Sequence, residues 1–292
     1  MMPRSNWLVI TSLLWLITLL VTIIVLAGYG EFAYAFVPLI VMYQGGHELQ
    51  HGTFFRKRNG LINNFLGSLC YAIYFHNFEL VRKSHNFHHK FGRMDLPNTM
   101  IDHPSGSFPR TFYYLGLLGL NYWAYIVSAP LWLVSKKAAK KVFGVSGLNL
   151  LWVVTSVLMS IVWFAFLLYN NSIFNVVTPF VIFSVYWGLI QNSAHYGLEY
   201  GIGDKYLYVA RTYTVPRAIH FIFFGTPFSH FEHHVLPGTP GVLLNNNREQ
   251  DKAKRVSCIN PYMGYNLSDY VHHLFITQWK TPFPSQTGKW RN

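Results

Sequence analysis

Charge is what this sequence most lacks: 12% of its 292 residues are Asp, Glu, Lys or Arg, against roughly a quarter in soluble domains. With 51% of the chain hydrophobic and 18% aromatic, that scarcity excludes an ordinary soluble domain and points to an integral membrane protein. Cysteine is nearly absent as well. Cys70 and Cys258 lie far apart and outside any Cys-x-x-Cys pattern, which excludes a disulfide scaffold and a thiolate zinc site. Acidic residues are outnumbered, 11 against 23 basic, for a formal charge of +12. Nucleic acid is one partner such a charge suggests, but in a membrane protein basic residues record topology instead.

Long uncharged runs supply the spans. Trp7 to Ala27 carries no charge and is long enough as a helix to cross a hydrocarbon core of about 30 Å. A second, shorter stretch, about 29–46, leads directly into a histidine-rich segment; two more follow at about 148–169 and 173–190, separated by Asn170, Asn171 and Ser172. A signal peptide is the rival for the first run, but the run exceeds the usual apolar core of such a peptide and cleavage would remove half a hairpin. Four spans in two hairpins leave two short loops, Gly28 to Glu31 and Asn170 to Ser172, and neither holds a Lys or Arg. All 23 basic residues, including the Lys136 to Lys141 run, then share the other side, which the positive-inside pattern makes cytoplasmic. The expected fold is an all-α integral membrane protein of one domain, 1–292. Its four transmembrane helices form two hairpins, and a cytoplasmic helical cap, 47–147 and 191–292, carries the histidines. The apolar stretches Leu61 to Phe78 and Thr111 to Val134 are broken by Asn63, Asn64, His76 and Pro130, and are expected to lie in or under the interface.

Nine of the fourteen histidines form three tight clusters and one outlier: His47 and His51; His85, His88 and His89; His230, His233 and His234; and His195 after the last span. Residues three and four apart share a helical face, so each cluster turns two or three imidazoles toward one point. Packed imidazoles without compensation would be costly to bury or charge, so the pattern calls for metal. Nine nitrogen donors exceed the four that tetrahedral zinc uses, and two ions fit better; zinc, copper and iron all accept imidazole, so ligand type leaves the metal open. Glu48, Glu79, Asp95, Glu199 and Glu232 lie near the clusters and are candidates to orient the rings through their second nitrogen. His76, His103, His220, His272 and His273 are isolated and read as ordinary core or surface residues.

The set His-x-x-x-His, His-x-x-His-His, His-x-x-His-His, in this order around two membrane hairpins, resembles the membrane fatty acid desaturase and hydroxylase superfamily from about Gly45 to Pro240. The resemblance implies a di-iron centre at the cytoplasmic ends of the spans, held by the three clusters, with His195 as the extra histidine typical after the fourth span. Dioxygen is then the co-substrate, and an electron-transfer protein, a b-type cytochrome or a ferredoxin, the external donor. The chain departs from acyl desaturases in carrying Glu48 rather than Asp after the first histidine, and Gln191 with Asn192 beside it where stearoyl-type enzymes have Asn.

The activity expected is introduction of a double bond into a lipid acyl chain, in the endoplasmic reticulum or a bacterial inner membrane. Hydroxylation or another oxidation of an aliphatic or carotenoid substrate is the alternative on the same scaffold. A membrane metal transporter is a distant third, because its ligands belong near mid-bilayer and every histidine cluster here lies outside the apolar runs. Tyr186 and Trp187 are candidates for lining an acyl tunnel and Arg211 and Arg217 for meeting an acidic headgroup or carrier, each equally explained by packing or topology. The positive face would steer an acidic electron donor.

Overall fold

The computed structural model describes residues 7–55, 60–91, 119–143, 147–194, 210–256 and 264–277. Three helical segments are long and apolar enough to cross a membrane, Trp7–Gly28, Leu150–Tyr169 and Ser172–Ile190. The first is α1. Its apolar residues split into a buried face, Val9, Leu16, Leu20, Ile23 and Ala27, and an exposed stripe, Trp7, Leu14, Ile17, Val21 and Ile24. An exposed apolar stripe of that length is a lipid-facing surface.

The expected span at 29–46 takes a different form. A 3-10 turn, Phe32–Ala35, leads into α2, Phe36–His51, 16 residues that pack against α1 and are buried from Val41 onward. Gly30, with φ of 75°, and the turn after it delay the helix, and Pro38 is tolerated because it falls in the first turn. Gly45 lets α2 approach its neighbours: a Cβ there would lie 2.7 Å from both Leu16 and Phe224. Gly45→Ala is therefore expected to cost about 1–3 kcal/mol by overpacking, read as a lower unfolding midpoint in detergent; an unchanged midpoint would show that the two neighbours yield.

Next come α3, Leu61–Ala72, and α4, Phe78–Phe91, joined by a turn at Phe75. Beyond them lie α5, Leu120–Val134, and α6, Lys136–Phe143, then α7, Leu150–Tyr169, and α8, Val177–Ser193. Rather than lying across the interface, α3 and α4 pack lengthwise against α7. Ser156 Oγ donates to Ser68 Oγ at 3.0 Å, Phe75 meets Phe164, and on the return Asn77 Nδ2 donates to the Val153 carbonyl at 2.9 Å. Phe164 is about 20 Å along α7 from its start at 1.5 Å per residue. The polar residues that argued for a surface position are satisfied inside. Asn63 Nδ2 donates to the Leu49 carbonyl at 2.9 Å and Asn64 Oδ1 accepts from Arg82 at 2.7 Å. His76 sits in a layer of rings with Nε2 3.1 Å from the Tyr122 carbonyl.

At the far end the two hairpin turns are tied together, Ser172 Oγ donating to the Ala27 carbonyl at 2.5 Å and Asn175 Nδ2 to the Gly30 carbonyl at 2.8 Å. The last part of the chain holds short helices, α9, Arg217–Ile222, α10, His230–Val235, α11, Asn247–Val256, and α12, Leu267–His272. One departure from an all-helical chain is a parallel pair of three-residue strands, β1, Thr212–Thr214, and β2, Gly264–Asn266.

Candidate metal centre

Three helix segments carry the clusters to one place. Helix α2 stops just after its second histidine, because Gly52 turns left-handed at φ 65° and returns its N–H to the Glu48 and Leu49 carbonyls. His47 and His51 thus occupy the final turn, one above the other. Helix α4 starts where Asn77 Oδ1 accepts from the Leu80 N–H at 3.1 Å, which places His85, His88 and His89 in its later turns. The six-residue α10 presents His230, His233 and His234 from a chain reversal at Gly225. Its φ is 76°, and a Cβ there would lie 2.2 Å from the Gly241 carbonyl. All of these histidines are buried except His89, which is partly so.

Their ring nitrogens form two groups, His47, His51, His85, His89 and His233 in one and His88, His230 and His234 in the other, with the ligand atoms of each within 4.8 Å of one another. Within the first, His85 Nε2 lies 2.8 Å from His47 Nε2, 2.8 Å from His51 Nε2 and 3.0 Å from His89 Nε2, and His89 Nε2 is 3.0 Å from His233 Nε2. Within the second, His234 Nε2 is 3.0 Å from that of His88 and 3.2 Å from that of His230.

Hydrogen bonding alone does not explain this convergence. A ring nitrogen carries one proton or one in-plane lone pair, so His85 Nε2 cannot make three good bonds to three other imidazole nitrogens at once. Meanwhile the Nδ1 atoms of His47, His89 and His233 are buried without a hydrogen-bond partner. Burial first, and then mutual repulsion, hold His47, His89, His230 and His233 well below the usual imidazole pKa. Neutral rings with converging lone pairs are the donor set that a divalent transition metal accepts.

The carboxylates serve mainly as struts. Glu48 accepts from Thr53 Oγ1 at 2.6 Å, Thr226 Oγ1 at 2.6 Å and the Gly241 N–H at 3.0 Å, tying the end of α2 to both sides of the loop that carries α10. Glu232 accepts from Thr212, joining α10 to β1. Glu79 corrects the expectation of an imidazole partner: its oxygens go to Arg82 and to the Asn149 N–H at the start of α7. Thr53, Thr226 and Gly241 have no counterpart in the sequence reading, since only the fold brings them to Glu48.

Other candidates fall elsewhere. His220 is buried with Nε2 3.0 Å from Ser229 Oγ, His272 is exposed and His273 Nδ1 is 3.1 Å from the Tyr213 hydroxyl. Trp187 packs in the core against Tyr43 and Tyr125. Arg211 is buried, with its guanidinium over the Tyr265 ring, and Arg217 is exposed. His195, His103, Asp95, Glu199 and the side chains of Gln191 and Asn192 lie outside the described residues.

A family model described as fatty acid desaturase matches residues 31–246, a span that includes every histidine of both groups and His195. The chain belongs to the fatty acid desaturase family. A search among curated proteins returned no match. Desaturase membership makes this a membrane-associated oxidoreductase acting on fatty acyl chains, in keeping with three membrane-length apolar helices and histidine groups able to hold metal.

Proposed function

We propose that this desaturase-family protein is an oxygen-dependent di-iron enzyme that introduces a double bond into a lipid acyl chain. The observation that carries the reading is the division of eight converging imidazoles into a group of five and a group of three. The five, His47, His51, His85, His89 and His233, would hold one iron. The three, His88, His230 and His234, would hold the other, with His195 completing them. When bound, the irons supply the oxidising chemistry, with dioxygen, that no side chain can provide.

The overall change balances as one acyl –CH2–CH2– unit, dioxygen, two electrons and two protons giving –CH=CH– and two waters. The electrons come from an external redox protein, a b-type cytochrome or a ferredoxin. The chain's own part is to bring the ligands together, orient them and keep the site dry. Gln50, next to His51, donates to the Tyr71 hydroxyl, and Tyr125 donates to Ser84 Oγ beside His85 at 3.1 Å. Those tyrosines belong to a buried aromatic layer with Tyr43, Tyr74, Tyr122 and Phe183, which helps to keep water from the histidines.

Topology completes the proposal. Helix α2 with the turn before it serves as the fourth, short span, and 47–147 with 191–292 form the cytoplasmic cap of a single domain, from which α3 and the start of α4 reach down beside α7. Two lysine-free and arginine-free hairpin turns support a cytoplasmic active site, in the endoplasmic reticulum or a bacterial inner membrane.

Expression in a host with a compatible donor, followed by mass spectrometry of its lipids, tests the reaction. Acyl products lighter by two hydrogens are expected. Products heavier by one oxygen would replace desaturation with hydroxylation, and neither product from iron-loaded, donor-supplied protein would end the proposal.

A further inference from the structure

Between Asp102 and Glu199 the chain contains no Asp or Glu, yet α6 places Lys136, Lys137, Lys140 and Lys141 in eight residues. Lys136, Lys137 and Lys140 are exposed. Among the described residues, the ion pairs are Arg82 with Glu79 and Lys252 with Glu249, so these three lysines join neither. Directly before them, α5 ends on Leu133 and Val134, 48% and 87% exposed, while Trp132 beside them is buried. The Lys136 ammonium lies 5.3 Å from the centre of the Trp132 ring, a cation–π contact that bends this exposed side chain back toward the end of α5.

Two opposite demands therefore meet within one helix junction. Val134 and Leu133 call for hydrocarbon, and the lysines call for water and anions, so the boundary of the acyl layer runs across the α5–α6 junction. Helix α11 makes the contrast. Its Arg248, Lys252, Lys254 and Arg255 are interleaved with Glu249 and Asp251, and Lys252 lies 3.9 Å from Glu249, so its counterions are built in. Helix α6 has none of its own.

We infer that α6 and the exposed end of α5 form a contact site for anionic phospholipid: the lysines take lipid phosphates at headgroup level while Leu133 and Val134 enter the acyl layer. An acidic protein partner would suit the charge of α6 but would leave Leu133 and Val134 uncovered by hydrocarbon, so lipid is the occupant the surface favours.

The full chain reconstituted in phosphatidylcholine vesicles, with spin-labelled phosphatidylglycerol or phosphatidylcholine added, gives the relative association constants directly. The wild type is expected to prefer phosphatidylglycerol. Lys136→Gln/Lys137→Gln/Lys140→Gln/Lys141→Gln should lower that preference at least about fivefold, the factor a single lysine contributes near an anionic surface. The matching four-arginine variant should keep it, which separates lost charge from lost folding. Replacing Arg248, Lys252, Lys254 and Arg255 of α11 with Gln should leave it unchanged. The inference is overturned if the α6 glutamine variant keeps the wild-type preference, or if the α11 variant loses as much. It is also overturned if the α6 variant loses only the salt dependence of its reduction by an acidic redox protein, since α6 would then be a protein-docking face.

Discussion

Replacing His85 with Ala is expected to take bound iron from two equivalents toward one and to lower acyl oxidation by more than about 100-fold. Its Nε2 is the hub of the five-histidine group, with three other imidazole nitrogens at 2.8, 2.8 and 3.0 Å. Disturbing a residue that only supports a metal ligand costs roughly 10- to 100-fold in affinity or activity, so loss of a ligand itself should exceed that. The group of three, His88, His230 and His234, does not include the altered ring, so its metal should be the better retained. Iron analysis of the purified variant, alongside lipid mass spectrometry, reads both effects. His272→Ala, on an exposed ring, is the matched control and should change neither. Two equivalents of iron with wild-type activity in the His85 variant would remove this residue from the ligand set.

The helices that could be read directly from the sequence were those whose signal is local. An uncharged run fixes a membrane-length helix to within a few residues: 7–27 became Trp7–Gly28 and 148–169 became Leu150–Tyr169. The run at 173–190 became the segment Ser172–Ile190, in which a 3-10 turn, Ser172–Asn175, precedes the regular helix Val177–Ser193. The histidine clusters were legible for a related reason. Three- and four-residue spacing decides which rings share a face, and buried imidazoles in such number have few uses other than metal. Which cluster contributes to which group was not legible, because the partition separates neighbours: His88 and His89 point into different groups, as do His233 and His234.

The polar residues of 61–78 misled for the opposite reason. Asn63, Asn64 and His76 are expensive in an apolar setting only if unpaired, and their partners, the Leu49 carbonyl, Arg82 and the Tyr122 carbonyl, come from other parts of the chain. A stretch that looks too polar to pack beside a membrane helix is thus paired with groups its own sequence does not contain. The β1–β2 pair was invisible because three residues per strand are too few to show an alternating pattern.

Glu48 extends the same argument to a measurable consequence. Its acceptors reach Thr226 and Gly241, 178 and 193 residues further along the chain, so one buried carboxylate fastens the first histidine cluster to the segment that carries the third. Glu48→Ala should leave the Gly241 N–H and two hydroxyls short of an acceptor. At about 1–3 kcal/mol for each buried group left unsatisfied, the variant should lose on the order of 3 kcal/mol of stability. It should also release iron faster, because His47 and His51 would no longer be fixed relative to His233. Glu48→Gln is the discriminating case. Its amide oxygen can take the place that accepts from Thr53 and Gly241, and its NH2 can donate to the Thr226 hydroxyl, which rotates to accept. Most of the stability and most of the iron should therefore return, by unfolding midpoint and iron-release rate respectively. If alanine and glutamine behave alike, the carboxylate acts through its charge rather than by joining the two segments; if alanine matches the wild type in both measurements, the segments hold the metal site together without it.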